Sequence, residues 1–347
     1  MTALAPPGGA GPVVLFGEIL LRLSAPDGEL LLQSPGLRVD VGGAEANVAV
    51  GLARLGGDAR LVSVLPDNPL GQAALAELRR WGVDTRGVGA GPGRVGLYFL
   101  TPGAGPRPAE VTYDRQGSAL ANADPDAIDW DAALAGAAWL HLSGVTPAIG
   151  PNGTAAAQRA VASANRLSVP VSFDGNYRAK LWAAWPGDGP AIVRTLIEGA
   201  DLAFLNDRDI ALALGRPFEQ PKPADRLSAA AAAAFEAFPR LSRIAATTRM
   251  THDAGRHELS ANLFSRGAPP LAARTYTLSG IVDRIGAGDA FAAGLLHGLG
   301  QAWPDQRALD FALAAACAKH TIRGDFNLAT LADIEAILAG EAADVRR

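Results

Sequence analysis

The chain is expected to be an α/β protein with a mostly parallel central sheet flanked by helices and a small β-sheet lid. Three observations predict this. From residue 126 onward, short apolar segments at 139–142, 169–173, 202–205 and 243–247 alternate with helical stretches near 153–167, 189–199, 208–214 and 227–238. That alternation marks βα units whose strands are covered on both faces. Near the C-terminus a β-branched stretch at 275–282 runs into a glycine turn and then an apolar helix. Two β-rich segments, about 18–40 and 93–120, interrupt the first part of the chain and are expected to form the lid.

Taken in order, 13–16 is a short buried strand ended by Gly17-Glu18. The apolar pieces 20–23 and 30–32 flank the turn Ala25-Pro-Asp-Gly28 and are expected to be lid strands. Residues 39–41 lead into Gly42-Gly43 and a helix over 44–55, with its stripe at Val48, Leu52 and Leu55. A strand at 60–65 precedes a helix to Trp81, closed by Gly82-Val-Asp84. The second lid piece pairs 95–100 with 110–113 across a Pro/Gly-rich tip at 102–108. The alanine run at 229–234 reads as a surface helix, 257–265 as a strand, and 306–319 and 330–339 as the last helices.

Composition bounds the function. With 347 residues, 49% of them apolar, and a formal charge of −4, one large core is expected over 12–340, preceded by a loose tail at 1–11. No basic cluster suits nucleic acid, and no apolar run suits a membrane span. The tail is Pro/Gly/Ala-rich without a basic start, so no signal peptide is expected and the cytoplasm is the expected location. The single cysteine, Cys317, lies in an apolar run and excludes an internal disulfide. His252 and His257 flank a hairpin turn and are expected to be solvated.

The stretch Asp283-Arg-Ile-Gly-Ala-Gly-Asp289 carries the chemistry. A helix starting here leaves the amides of Gly286, Ala287 and Gly288 without intrahelical partners, and its dipole adds positive character. Such a turn attracts a phosphate or a developing oxyanion. Asp289, in the same turn, is placed to take a proton from a hydroxyl aimed at that phosphate. An ordinary strand-to-helix turn would account for the glycines, with Asp289 as a cap.

The whole segment resembles the second signature of the PfkB (ribokinase-like) carbohydrate kinases, and Gly42-Gly-Ala-Glu-Ala-Asn47 with the helix to Gly56 resembles the first. Arg284 stands where Thr or Pro is more common in the family. The resemblance runs over about 13–335 and implies a ribokinase-like fold, ATP with Mg²⁺ as cofactors, and Asp289, Gly286, Ala287 and Gly288 as the catalytic group. It implies a sugar side formed by Gly43, Asn47, the lid tyrosines Tyr98 and Tyr113, Arg115, Arg178 and Asp325. Asn206 and Asp209 match the step that faces phosphate and Mg²⁺-bound water, with Asp where Glu is usual. Thr248 and Arg249 occupy the nucleotide position where many relatives have Lys and a glycine turn.

Within the family the motifs are most similar to those of 2-keto-3-deoxygluconate kinases, which implies phosphorylation of the terminal hydroxyl of a sugar acid. Two arginines, Arg115 and Arg178, suit a carboxylate through paired hydrogen bonds, whereas a neutral sugar has no need of them. A neutral-sugar kinase and a catalytically silent sugar sensor remain as alternatives. The lid strands would leave open edges, so a homodimer through the lid is expected.

Overall fold

The computed structural model describes residues 11–340; the expected tail, apart from Gly11, and residues 341–347 lie outside the described residues. The strands are β1 (Val13–Phe16), β2 (Leu20–Ser24), β3 (Arg38–Gly42), β4 (Ala59–Leu65), β5 (Asp84–Ala90), β6 (Gly96–Thr101) and β7 (Glu110–Asp114). They continue as β8 (Trp139–Ser143), β9 (Val171–Asp174), β10 (Leu202–Phe204), β11 (Arg243–Asp253), β12 (Arg256–Ser265), β13 (Leu271–Ala272) and β14 (Tyr276–Ser279). A ten-stranded sheet runs β13-β12-β11-β10-β9-β8-β1-β4-β5, with β14 also paired to β12. From β5 to β11 every pairing is parallel; β12 turns back antiparallel. This is the mostly parallel α/β architecture expected from the sequence.

Alternation along β1 divides the core. Val14 and Phe16 face the helices Pro151–Arg166, Gly189–Glu198 and Pro223–Ala237, while Leu15 faces Ala44–Arg54, Ala287–Gly300 and Asp305–Lys319. Val171 and Phe173 of β9 are fully buried, as a central parallel strand requires. Truncating Phe173 to Ala would remove roughly 3–5 kcal/mol. The alanine run is not a surface segment: Ala230, Ala231, Ala233 and Ala234 are buried, because small side chains let that helix lie close to the sheet.

The lid is a separate four-stranded sheet, β3-β2-β6-β7. Residues 30–32 are not part of it. Leu30 and Leu32 are 52% and 79% exposed, in a turn between β2 and β3 where no strand lies alongside. Strand β5 was not expected, since Gly87 and Gly89 carry no strand signal; pairing with β4 creates it at the sheet edge. Strand β11 continues six residues past the expected end at Thr247, because β12 supplies a ladder as far as Asp253. At the tip of that hairpin, the Ala254 amide donates to the Gly105 carbonyl of the lid loop at 3.0 Å. His252 bonds Glu258 near the surface, but His257 is 1% exposed, so it is not solvated.

Candidate active site

The C-terminal ends of parallel strands converge on one edge, where α/β proteins collect ligands. Glu18 follows β1, Ser143 ends β8, Asp174 ends β9 and Asn206 follows β10. The turn 283–286 and the helix Ala287–Gly300 come in from the C-terminal part of the chain. Gly286 caps this helix at φ 82°, and a Cβ there would lie 2.1 Å from the Asp325 carbonyl oxygen. Only glycine fits. The Ala287 amide donates to the Arg284 carbonyl at 3.3 Å, so it is partly engaged within the turn. The amides of Gly286 and Gly288 carry no such bond, and the space beyond Gly288 is open.

Asp289 sits one residue further on. Burial pushes its carboxyl up to about 7, opposed by a hydrogen bond from Asn47 and reinforced by the charges of Glu45 and Asp325. The Asn47 Nδ2 to Asp289 Oδ2 distance is 2.7 Å. Asn47, expected on the sugar side, therefore orients the carboxylate. Its own position follows from Gly43, the N-cap of Ala44–Arg54 at φ 132°, which presses on the Glu18 carbonyl where no side chain would fit. Glu45 on the same helix accepts from the Ser143 amide at 2.8 Å and the Thr146 hydroxyl at 3.3 Å, tying the first signature to β8.

Asp174 is pushed up to about 8 by burial, then by Asp289 and Asp209. Burial likewise raises Asp209. Asp289 and Asp209 thus both bear on Asp174, and Arg178 is a cation that draws each of the three carboxyls back down. Arg178 is exposed and makes no ion pair among the described residues. Arg115 is different: it is buried and its Nε donates to Glu18 Oε2 at 2.5 Å, so its charge is already neutralised. The two arginines expected to share a substrate carboxylate are not equivalent.

Tyr98 and Tyr113 face each other across β6 and β7. The Tyr98 hydroxyl donates to Asp325 Oδ2 at 2.6 Å, and both side chains are buried. Asp325 also pairs with Arg22 at 3.0 Å. Arg22 is fully buried and further binds Asp40 at 3.1 Å and Asp283 at 2.7 Å. Nothing in a strand sequence Leu-Leu-Arg-Leu announces that an arginine will be the hub of a buried charge cluster. Its partners lie up to 303 positions away, beyond the reach of periodicity.

Of the residues expected to face phosphate and nucleotide, Asn206 and Asp209 form a capping box on Asp207–Leu214: Asn206 accepts from the Arg208 and Asp209 amides, and Asp209 accepts from the Asn206 amide at 3.0 Å. Thr248 and Arg249 lie on the exposed part of β11, paired with Ser260 and Leu259, in place of a turn. Arg249 is lowered by burial, then by the nearby positive charges of Arg284 and Arg178. Among the described residues, no group of three or more His, Cys, Asp or Glu is arranged to hold a metal ion. A cavity of about 660 Å³ lies between the lid loop and the hairpin tip; Asp283, Arg284 and Ile285 line it, while Asp289 does not.

An open helix N-terminus, a buried carboxylate of raised pKa and a β lid at a parallel-sheet edge suit an enzyme that moves a phosphoryl group to a small-molecule hydroxyl. The match over residues 12–242 and 277–328 makes the identity plain: the chain belongs to the pfkB family of carbohydrate kinases, ATP-dependent enzymes. It is 32% identical to a 2-dehydro-3-deoxygalactonokinase of Haloferax volcanii, over 96% of this chain and 99% of the relative. The solved 2-dehydro-3-deoxygluconokinase of Thermotoga maritima superposes with a TM-score of 0.89 at 39% identity, covering 95% of this chain and all of that one. A fructokinase of Klebsiella pneumoniae is 30% identical over 88% of this chain and 92% of its own.

Proposed function

We propose that this kinase phosphorylates the terminal hydroxyl of a 2-keto-3-deoxy sugar acid, the gluconate-derived acid or its galactonate epimer. The observation that carries the reading is Arg178: an exposed guanidinium four residues past β9, at the N-cap of the short helix Ala179–Trp182, that lowers the Asp289 carboxyl and makes no ion pair among the described residues. A planar cation so placed suits a substrate carboxylate. The relatives named for these two acids, matched over nearly the whole chain, support the same substrate class.

The residues present fit ATP with Mg²⁺. The unbonded Gly286 and Gly288 amides suit phosphoryl oxygens, and the charges of Asp289 and Asp209 that bear on Asp174 are negative charge that a divalent ion would relieve. Mg²⁺ keeps several waters and needs only one or two protein carboxylates beside the phosphates, so the absence of a three-carboxylate cluster is compatible with it. Asp209 and Asp174 are the candidates. Thr248 and Arg249 face the nucleotide side, with Arg249 favoured for the polyphosphate charge. When bound, the metal–nucleotide supplies the phosphoryl group and neutralises charge on its oxygens.

Asp289 takes the hydroxyl proton as the substrate oxygen forms its bond to phosphorus and the bond to the departing diphosphate breaks. A pKa near 7 suits this role, since a general base works best near ambient pH. Asn47 aims the carboxylate. Tyr98, Tyr113 and Asp325 form the wall under the lid, and Arg115, held by Glu18, shapes it. The lid excludes water from the transfer, and its open edges are paired by a second copy of the chain.

A coupled assay of ATP turnover against both keto acids, fructose and ribose tests the reading. The keto acids are expected to give the highest kcat/KM. A higher value for fructose or ribose would overturn the sugar-acid assignment and leave the kinase intact.

A further inference from the structure

Lys319 ends the helix Asp305–Lys319 with 0% of its surface exposed. Lysine is almost never fully buried unless paired with an anion. Yet no carboxylate oxygen lies within salt-bridge distance of this ammonium among the described residues. Its Nζ donates to two backbone carbonyls, Ile322 at 2.7 Å and Asp283 at 3.2 Å. These belong to the two loops that build the anion-binding turn: 320–325 supplies the carbonyl packed against Gly286, and 283–286 is the turn itself. The lysine stem runs beneath the turn, with Cε 3.4 Å from where a Gly286 Cβ would lie.

The turn is fixed at its other corner by the Asp283 side chain. One oxygen accepts from the Ile285 amide at 3.0 Å, the other from Arg22 at 2.7 Å and from the Gly324 amide at 3.1 Å. Asp283 thus offers its carboxylate to the lid strand and its carbonyl to Lys319. Because the peptide is planar and trans, the Asp283 carbonyl drawn toward the lysine turns the Arg284 amide the opposite way and so fixes the first peptide of the turn. Burial lowers the ammonium to about 8, against the raising charges of Asp283 and Asp325. Packing alone would be served by a neutral side chain of the same length, with no cost of burying charge.

We infer that Lys319 is a positioning residue for phosphoryl transfer, a built-in cation that clamps the carbonyls of Asp283 and Ile322 and so holds together the two loops from which the free Gly286 and Gly288 amides project. The charge also sits under the site where negative charge gathers in the transition state. The effect falls on turnover more than on sugar binding, since the residue reaches the reaction only through the turn.

The test compares full-length wild type, Lys319→Ala and Lys319→Met on whichever sugar the wild type turns over, so it does not depend on the substrate assignment. Both variants are expected to lose about 10²-fold in kcat, the order of one lost oxyanion donor, with the sugar KM nearly unchanged. Ammonium chloride, against choline chloride at equal ionic strength, is expected to restore much of the loss in Lys319→Ala. It should not help Lys319→Met, whose thioether fills the space, nor the wild type, whose site is occupied. Folded Lys319→Met turning over within a few-fold of wild type would overturn the inference. So would ammonium activating wild type, a measurement that stands even where a variant fails to fold.

Discussion

The Asn47 side-chain amide donates to Oδ2 of Asp289 at 2.7 Å, joining two residues 242 positions apart. One contact ties the first glycine signature to the second and acts on the protonation state of the proposed base. A hydrogen bond to the ionised form opposes the burial that pushes Asp289 up to about 7.

Asp289→Asn is expected to keep substrate binding and lose about 10²–10⁴-fold in kcat. Its stability should move the other way. A folded pKa raised above the unfolded value makes the protonated form the better fit, so stability falls as pH rises through about 7. Because that loss begins at the unfolded value of 3.8, the Asn variant is expected to melt higher than wild type at about pH 8.5 and level with it at about pH 3. Calorimetry at both pH values checks this.

The acid limb of kcat/KM is expected near pH 7, far above an ordinary aspartate, because Asp289 acts ionised. Asn47→Ala removes the bond that favours the ionised form, so the limb should shift to higher pH. A pH profile with an unmoved limb in Asn47→Ala would separate the two residues.

Arg178→Ala is expected to raise KM for the keto acid by the equivalent of roughly 1.5–3 kcal/mol, the value of a hydrogen bond to a charged group. Activity on a neutral sugar should change far less. Measuring kcat and KM separately shows whether the contact is uniform or confined to the transition state.

Arg22→Met is expected to destabilise the fold by about 3–5 kcal/mol, since it leaves Asp283 and Asp325 buried beside Asp40 without their cation. Denaturant melts would measure it. Loss below about 1 kcal/mol would mean that water replaces the arginine.

The lid is expected to pair two chains. Val39 on the edge strand β3 is 57% exposed, and both β3 and β7 lack an outer neighbour among the described residues. Val39→Asp should shift light scattering from dimer to monomer; a wild type that is monomeric at assay concentration would refute the pairing.

What local order encodes was readable in the chain by itself. The βα alternation placed β8 to β11, the glycines of 283–289 marked the turn, and Gly42-Gly43 marked the start of the helix that carries Asn47. Each depends on residues within a few positions, where backbone preference and hydrophobic period act. Only the tertiary structure decided the partners. Arg115 is matched to Glu18, which leaves Arg178 as the one of these two without an ion pair among the described residues; Tyr98 is committed to Asp325, and Asn47 to Asp289. β5 and the outer half of β11 exist because β4 and β12 supply the hydrogen bonds their own residues do not demand. Arg22, Asp283 and Lys319 gained their roles in the same way: burial makes a charge costly unless a particular neighbour meets it, and which neighbour arrives is a property of the fold.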